Sequence, residues 1–289
     1  SVRHFANNVF ILSPMSALTF TLIQTSLHWE DKASNLQMLE EKINSITEKT
    51  QVVVLPEMFS TGFSMNPELL AETMDGETIS WMKRLAAAKK VILTGSVIIQ
   101  ENGSYYNRFV WMQPNGEFGY YNKRHLFAFA QEDKHYSPGT ERFIASANGL
   151  KVLLMVCYDL RFPVWARQIS PLTPQQKRED VDTKDVFEYD ILIYVANWPE
   201  RRSTAWKTLL QARAIENQCY VIGVNRVGDD GNAIYHSGDS MVVSPLGEVL
   251  YHKANDEDIF TITLKKEDLD DVRRKFQFWR DADDFQIMI

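Results

Sequence analysis

Apolar residues fall along the chain in short runs separated by polar segments. Runs at 18–25 (LTFTLIQT), 52–55 (VVVL), 91–99 (VILTGSVII), 105–112, 152–156, 191–195 (ILIYV), 220–225 and 240–244 are rich in aliphatic, β-branched and aromatic residues, which predicts strands. The uninterrupted runs read as central strands buried on both faces. Between them, 34–47 and 78–90 carry apolar positions at helical spacing, and Ser203 is placed to cap a helix TAWKTLLQARAIENQ whose Trp206, Leu209 and Leu210 share a face. Alternation of this kind predicts a layered α/β domain. The stretch NGSYYNRFVWMQPNGEFGYYNK places Asn-Gly and Pro-Asn-Gly turns between strands, so antiparallel hairpins join a mixed sheet.

One segment breaks the pattern. Residues 169–190 (ISPLTPQQKREDVDTKDVFEYD) are charged, hold two prolines and show little apolar periodicity, which predicts a surface excursion, with a polar insertion at about 170–188. Residues 1–15 read as an N-terminal extension without the features of an export signal, and 16–289 as a single domain. The tail KFQFWRDADDFQIMI is aromatic and apolar, and either packs on its own core or meets a second subunit.

Composition then narrows the class. At 289 residues with 45% hydrophobic and 24% charged residues the chain can bury a sizeable core, and no stretch approaches the ~20 apolar residues of a membrane helix. A net charge of −7 argues against a nucleic-acid partner, which calls for a basic face. Only two cysteines occur, Cys157 and Cys219, so no disulfide framework is implied and a reducing, cytoplasmic setting is expected.

Common catalytic motifs are missing: no Gly-x-Ser-x-Gly, Gly-x-Gly-x-x-Gly, Walker loop, Cys-x-x-Cys or His-Glu-x-x-His occurs. The histidines lack metal-ligand spacing. What remains stands at strand ends. In KVLLMVCYDLRFP (151–163) an apolar run ends on Cys157; VVVLPEMFSTGF delivers Glu57 after Pro56; YYNKRHLF delivers Lys123 ahead of a loop containing Glu132. Each has an ordinary structural alternative: Cys157 as core, Glu57 as a turn cap, Lys123 as a surface residue. Together they make chemical sense. A thiol must lose its proton to attack a carbonyl, a carboxylate can take that proton, and an ammonium stabilises both the thiolate and the ensuing oxyanion. One such charge pair at about 4 Å and an effective dielectric of about 20 is worth roughly 4 kcal/mol before desolvation. A Cys–His dyad with His125, His135 or His236 as base is the competing arrangement.

LPEMFSTGF, YNKRHLF and VCYDLRFP, in that order, resemble the Glu, Lys and Cys motifs of the nitrilase superfamily of carbon–nitrogen hydrolases, and the wording along nearly the whole chain is similar to its omega-amidase branch. The resemblance implies an α-β-β-α four-layer sandwich that pairs into a homo-oligomer. It implies a catalytic triad of Glu57, Lys123 and Cys157, with Glu132 as a second glutamate, the Tyr158 N–H as an oxyanion donor, and Cys219 as a strand residue. It also implies a small amide as substrate, water as co-substrate and no metal or organic cofactor. The substrates of that branch, 2-oxoglutaramate and 2-oxosuccinamate, carry a carboxylate for which Arg161, Arg201 and Arg202 are candidate partners, with Trp198 and Phe63 as walls. Arg161 could equally pair with Asp159 as a structural ion pair. The alternatives are another hydrolase on the same triad, acting on nitriles, N-carbamoyl compounds or other amides, and a silent binding protein on the same fold.

Overall fold

The computed structural model describes residues 16–168, 175–176 and 186–288. The expected extension at 1–15 and most of the polar segment at 170–188 lie outside the described residues. Among the described residues, thirteen strands form two sheets. In the first, β1 (Ala17–Gln24), β2 (Val52–Val54) and β3 (Ile92–Glu101) run parallel; β4 (Ser104–Met112) and β5 (Phe118–Asn122) continue antiparallel from β3, and β13 (Asp258–Lys265) closes the other edge against β1. In the second, β7 (Leu150–Val156), β8 (Ile191–Ala196) and β9 (Tyr220–Asn225) are the parallel centre. They are flanked by β6 (Ile144–Ala147) on one side and by β10 (Val227–Asp229), β11 (Tyr235–Val243) and β12 (Val249–Ala254) on the other. Both sheets are mixed, as the hairpin turns predict.

Period-two alternation decides what each face meets. Val52 and Val54 of β2, and Phe109 and Trp111 of β4, join Val152, Leu154 and Val156 of β7 in one apolar cluster between the sheets. Their alternates Val53, Val110 and Met112 pack instead with Leu36 and Leu39 of the helix Lys32–Asn44 and Ile79, Met82 and Leu85 of the helix Glu77–Lys89. On the far side, Trp206, Leu210 and Ala214 of the helix Ser203–Asn217 cover the second sheet. Helix, sheet, sheet, helix is thus the α-β-β-α sandwich expected. Gly95 of β3 is required by close approach, since a Cβ there would stand 2.7 Å from the Phe59 ring and 2.9 Å from Leu55 Cβ, on the segment that carries Glu57.

Three expectations need revision. Ser203 is the first residue of its helix, and Arg202 holds the cap position without a side-chain cap bond. Cys219 sits in the bend one residue before β9. The end of the 169–190 excursion is not surface: Val186 and Phe187 are buried with Trp279 of the tail, and the Arg273 guanidinium lies 3.7 Å from the Phe187 ring centre. The tail therefore packs on its own chain at Trp279. Edge strands β6, β10, β12 and β13 and the helix Lys266–Lys275 are additions to the expected elements.

Candidate active site

The parallel strands of both sheets deliver their carboxyl ends to one region, where ligands gather in such sheets. Glu57 follows β2; Lys123 follows β5, which two reversals from β3 return to the β3 direction; Cys157 follows β7. Their convergence is tight. Lys123 Nζ lies 3.0 Å from Glu57 Oε1 and 3.0 and 2.9 Å from the two carboxylate oxygens of Glu132, with all three side chains fully buried. Cys157, 9% exposed, opens onto a cavity of about 490 Å³, and the charged groups that act on its thiol are Glu57, Lys123 and Glu132.

The thiol is positioned by its backbone. Cys157 has φ +44°, a left-handed conformation unusual for a side-chain-bearing residue, and begins the short 3₁₀ turn Cys157–Arg161. Asp159 holds that turn: its Oδ2 accepts from Val156 N at 3.0 Å and from the Tyr121 hydroxyl at 2.8 Å, and its Oδ1 accepts from His125 N at 2.9 Å and meets His125 Nδ1 at 2.8 Å. One carboxylate thereby ties the thiol's turn to the segment that carries Lys123. Arg161 takes no part in this. Its guanidinium lies 5.0 Å from the Trp198 ring centre, in the cavity wall, so the Asp159–Arg161 ion pair is replaced by Asp159–His125 and Asp159–Tyr121.

Charge and burial work against each other here. Burial disfavours the Lys123 ammonium, but the carboxylates of Glu132 and Glu57 outweigh it and hold the proton above the ordinary range for lysine. Burial, with Glu57 adding to it and Lys123 only partly offsetting, raises the Glu132 carboxyl. Burial and the neighbouring Glu57 carboxylate push the Cys157 thiol well above its usual value, against the pull of Lys123. The resting group is a neutral thiol beside the Glu57 carboxylate. A buried thiol of this kind loses its proton only to an acceptor close at hand.

Among the expected site residues, Phe63, Cys157, Tyr158, Arg161, Trp198 and Arg202 line the cavity, and Arg201 does not; it is exposed. Arg202 is half-buried with its guanidinium 5.1 Å from the Phe127 ring centre, and Lys123 Nζ is 5.1 Å from that of Phe63. Of the three histidines considered as a base, His236 alone lines the cavity that Cys157 opens onto. His125 is bound to Asp159 and stacked on Phe162, His135 lies off the cavity, and His236 is in its wall with Nδ1 2.9 Å from the Ile234 carbonyl. Among the described residues no group of three or more His, Cys, Asp or Glu side chains is arranged to hold a metal ion, and no helix is long and apolar enough to cross a membrane.

Sequence reasoning passes over two amides. Asn197 follows β8 as Glu57 follows β2; its N–H donates to Glu57 Oε2 at 2.8 Å and its Nδ2 to the Glu57 carbonyl at 2.6 Å. The same signal, a polar residue ending an apolar run, is present in YVANWP. Asn107 lies inside β4, where only the fold reveals that its Nδ2 is 2.8 Å from Glu57 Oε1 and 3.3 Å from Glu132 Oε1.

The chain as a whole has known relatives. Residues 19–274 match the carbon-nitrogen hydrolase family. An omega-amidase, YafV, of Escherichia coli K12 is 40% identical over 277 residues, covering 94% of this chain and all of that protein. A 2-oxoglutaramate amidase of Bacillus subtilis is 30% identical over 266 residues, covering 91% of this chain and 96% of that protein. In three dimensions, XC1258 of Xanthomonas campestris, described as a CN-hydrolase superfamily protein with an arsenic adduct in its active site, superposes with a TM-score of 0.86 at 39% identity, over 95% of this chain and the whole of that one.

Proposed function

The chain belongs to the carbon–nitrogen hydrolase family, and on that premise we propose that it is an omega-amidase, releasing ammonia from the terminal amide of short 2-oxo dicarboxylate monoamides such as 2-oxoglutaramate and 2-oxosuccinamate. The observation that carries this reading is one cavity that joins Cys157, beside the Glu57–Lys123–Glu132 cluster, with two guanidiniums, Arg161 and Arg202, that lie over aromatic rings. The names of the Escherichia coli and Bacillus subtilis relatives point the same way.

Cys157 Sγ attacks the amide carbon while its proton passes to Glu57. Lys123 releases one of its two contacts to Glu132 and turns, with the Tyr158 N–H, to the oxyanion. The C–N bond breaks as Glu57 returns the proton to nitrogen, ammonia leaves, and a thioester remains. Water then adds with Glu57 as base, the C–S bond breaks, and the thiol recovers its proton from Glu57. Glu132 keeps Lys123 in place, and no cofactor enters.

At the other end, the substrate carboxylate meets Arg161 and Arg202, with Trp198 and Phe63 against its carbons. A 2-amino group would bring an ammonium toward two guanidiniums, whereas a 2-oxo group accepts hydrogen bonds from them. The two cavity carboxylates are already engaged: Glu30 accepts from the Ser64 hydroxyl, and Asp230 Oδ1 accepts the N–H groups of Asn232 and Ile234. By the same reading two copies pair and the protein works in the cytoplasm.

Ammonia release should therefore be at least about 10²-fold more efficient with 2-oxoglutaramate than with glutamine, a selectivity within reach of polar mismatch. Equal turnover of glutamine, or faster turnover of a nitrile or an N-carbamoyl amino acid, overturns the substrate assignment.

A further inference from the structure

Asn107 is a buried polar group in contact with both acids that the mechanism leaves without a task. It is fully buried in β4. Its Nδ2 approaches Glu57 Oε1 at 2.8 Å and Glu132 Oε1 at 3.3 Å, the two oxygens that Lys123 Nζ holds at 3.0 Å each. The four atoms close a ring in which two donors, one charged and one neutral, alternate with two carboxylate oxygens. The direction of the amide follows from chemistry: reversed, its Oδ1 would face both acids. In the direction adopted, Oδ1 is buried with no hydrogen-bond partner among the described residues. An unmet buried acceptor is destabilising, and an apolar residue of the same shape would avoid it. The strand thus tolerates a loss in order to aim two N–H bonds at the acids. The Asn107 carbonyl also accepts from Lys123 N at 2.9 Å, so one residue registers the lysine and bridges both its partners.

We propose that Asn107 is a positioning residue of the reaction: it lets Glu57 and Glu132 share a single ammonium without the pair taking up a proton, so that Glu57 stays free to receive the one from the thiol. The ionisable groups around the two acids it bridges are Lys123 from the end of β5, Cys157 from the end of β7, and Tyr136, whose hydroxyl is bound to the Ser64 carbonyl. Arg108, next along the strand, turns away to Glu101 and Asn122. Without the amide, two carboxylates confront each other across one cation. Their repulsion then favours protonation of the pair at higher pH.

The inference rests on the amidase reading only through the choice of substrate, so its test includes a measurement that uses none. Asn107→Leu, which keeps the shape and removes both donors, is compared with wild type in the pH dependence of kcat/KM and in that of Cys157 alkylation by iodoacetamide, followed by peptide mass spectrometry. Both acid limbs should move to higher pH by about one unit, a roughly tenfold loss on the acid side, with KM nearly unchanged. Should Asn107→Leu not be recovered folded, Asn107→Ser reads the same limbs. Unmoved limbs, with a rate lowered equally at every pH or a change in melting temperature alone, make Asn107 a packing residue and overturn the proposal. If the alkylation limb moves while wild type fails to hydrolyse 2-oxoglutaramate, the positioning role stands and the substrate assignment falls.

Discussion

The molecule holds two cysteines beside one sheet, and they are a controlled pair. Cys219, before β9, is wholly enclosed; burial pushes its thiol up, with Asp190 adding to that and Arg273 pulling against it, and among the described residues its Sγ finds only the Arg213 carbonyl at 3.9 Å. Cys157, after β7, is also buried and also raised, yet it has a left-handed backbone, a carboxylate and an ammonium nearby and an open side toward the cavity. Burial by itself makes a thiol inert. What distinguishes Cys157 is the pair of charged groups beside it and the cavity it faces. Both come from the other sheet and from loops far away in the chain.

The comparison breaks most visibly by substitution of the sulfurs. Cys157→Ala should reduce ammonia release by about 10⁴-fold or more with the fold intact by circular dichroism, as expected when a nucleophile is lost, while Cys219→Ala leaves kcat within about twofold. Comparable losses for both would place the chemistry elsewhere. Lys123→Ala comes next, with about 10²-fold or more off kcat by loss of an oxyanion donor. It should also lower the melting temperature, because Glu57 and Glu132 lose their buried cation; activity within about threefold of wild type would reduce Lys123 to a structural part.

His236 offers a third buried titratable group, and it sharpens the contrast through pH. Burial, with Arg226 nearby, lowers its proton affinity from 6.5 to about 4. Between those values the unfolded chain binds more protons than the folded one, so stability rises with pH across the window and is lost as pH falls through it, by ~3 kcal/mol at most. Urea midpoints from pH 7 to 4 should show this slope, and His236→Gln should flatten it; an unchanged slope assigns acid sensitivity to other groups. Smaller again is the arginine series. Arg202→Ala should raise KM for a 2-oxo monoamide about tenfold, as a charged contact is lost, and Arg201→Ala should leave it within about twofold, because only the first lines the cavity.

Much of this is legible in the sequence because strands announce themselves locally. VVVLPE, YYNK and LLMVCYD each pair an apolar run with a polar terminus, and parallel strands of one sheet end on the same edge. The fold class follows from alternation, and β9 falls at 220–225 as expected. Edge strands such as β12 escape because they are short, half-exposed and mixed in composition. Asn107 and Asp159 escape for a different reason. An amide inside a strand and an acid two residues after a thiol have no local pattern that names their partners, which lie 50 and 38 positions away. Arg161 is not half of an ion pair with Asp159, because nearness in sequence is a poor proxy for contact across a 3₁₀ turn.

The most direct test is to quench the enzyme in acid during turnover of its amide and map the modified peptides by mass spectrometry. The account expects the acyl group of the substrate on the peptide containing Cys157 and none on the peptide containing Cys219. Full ammonia release with the Cys157 peptide unmodified throughout turnover would contradict it.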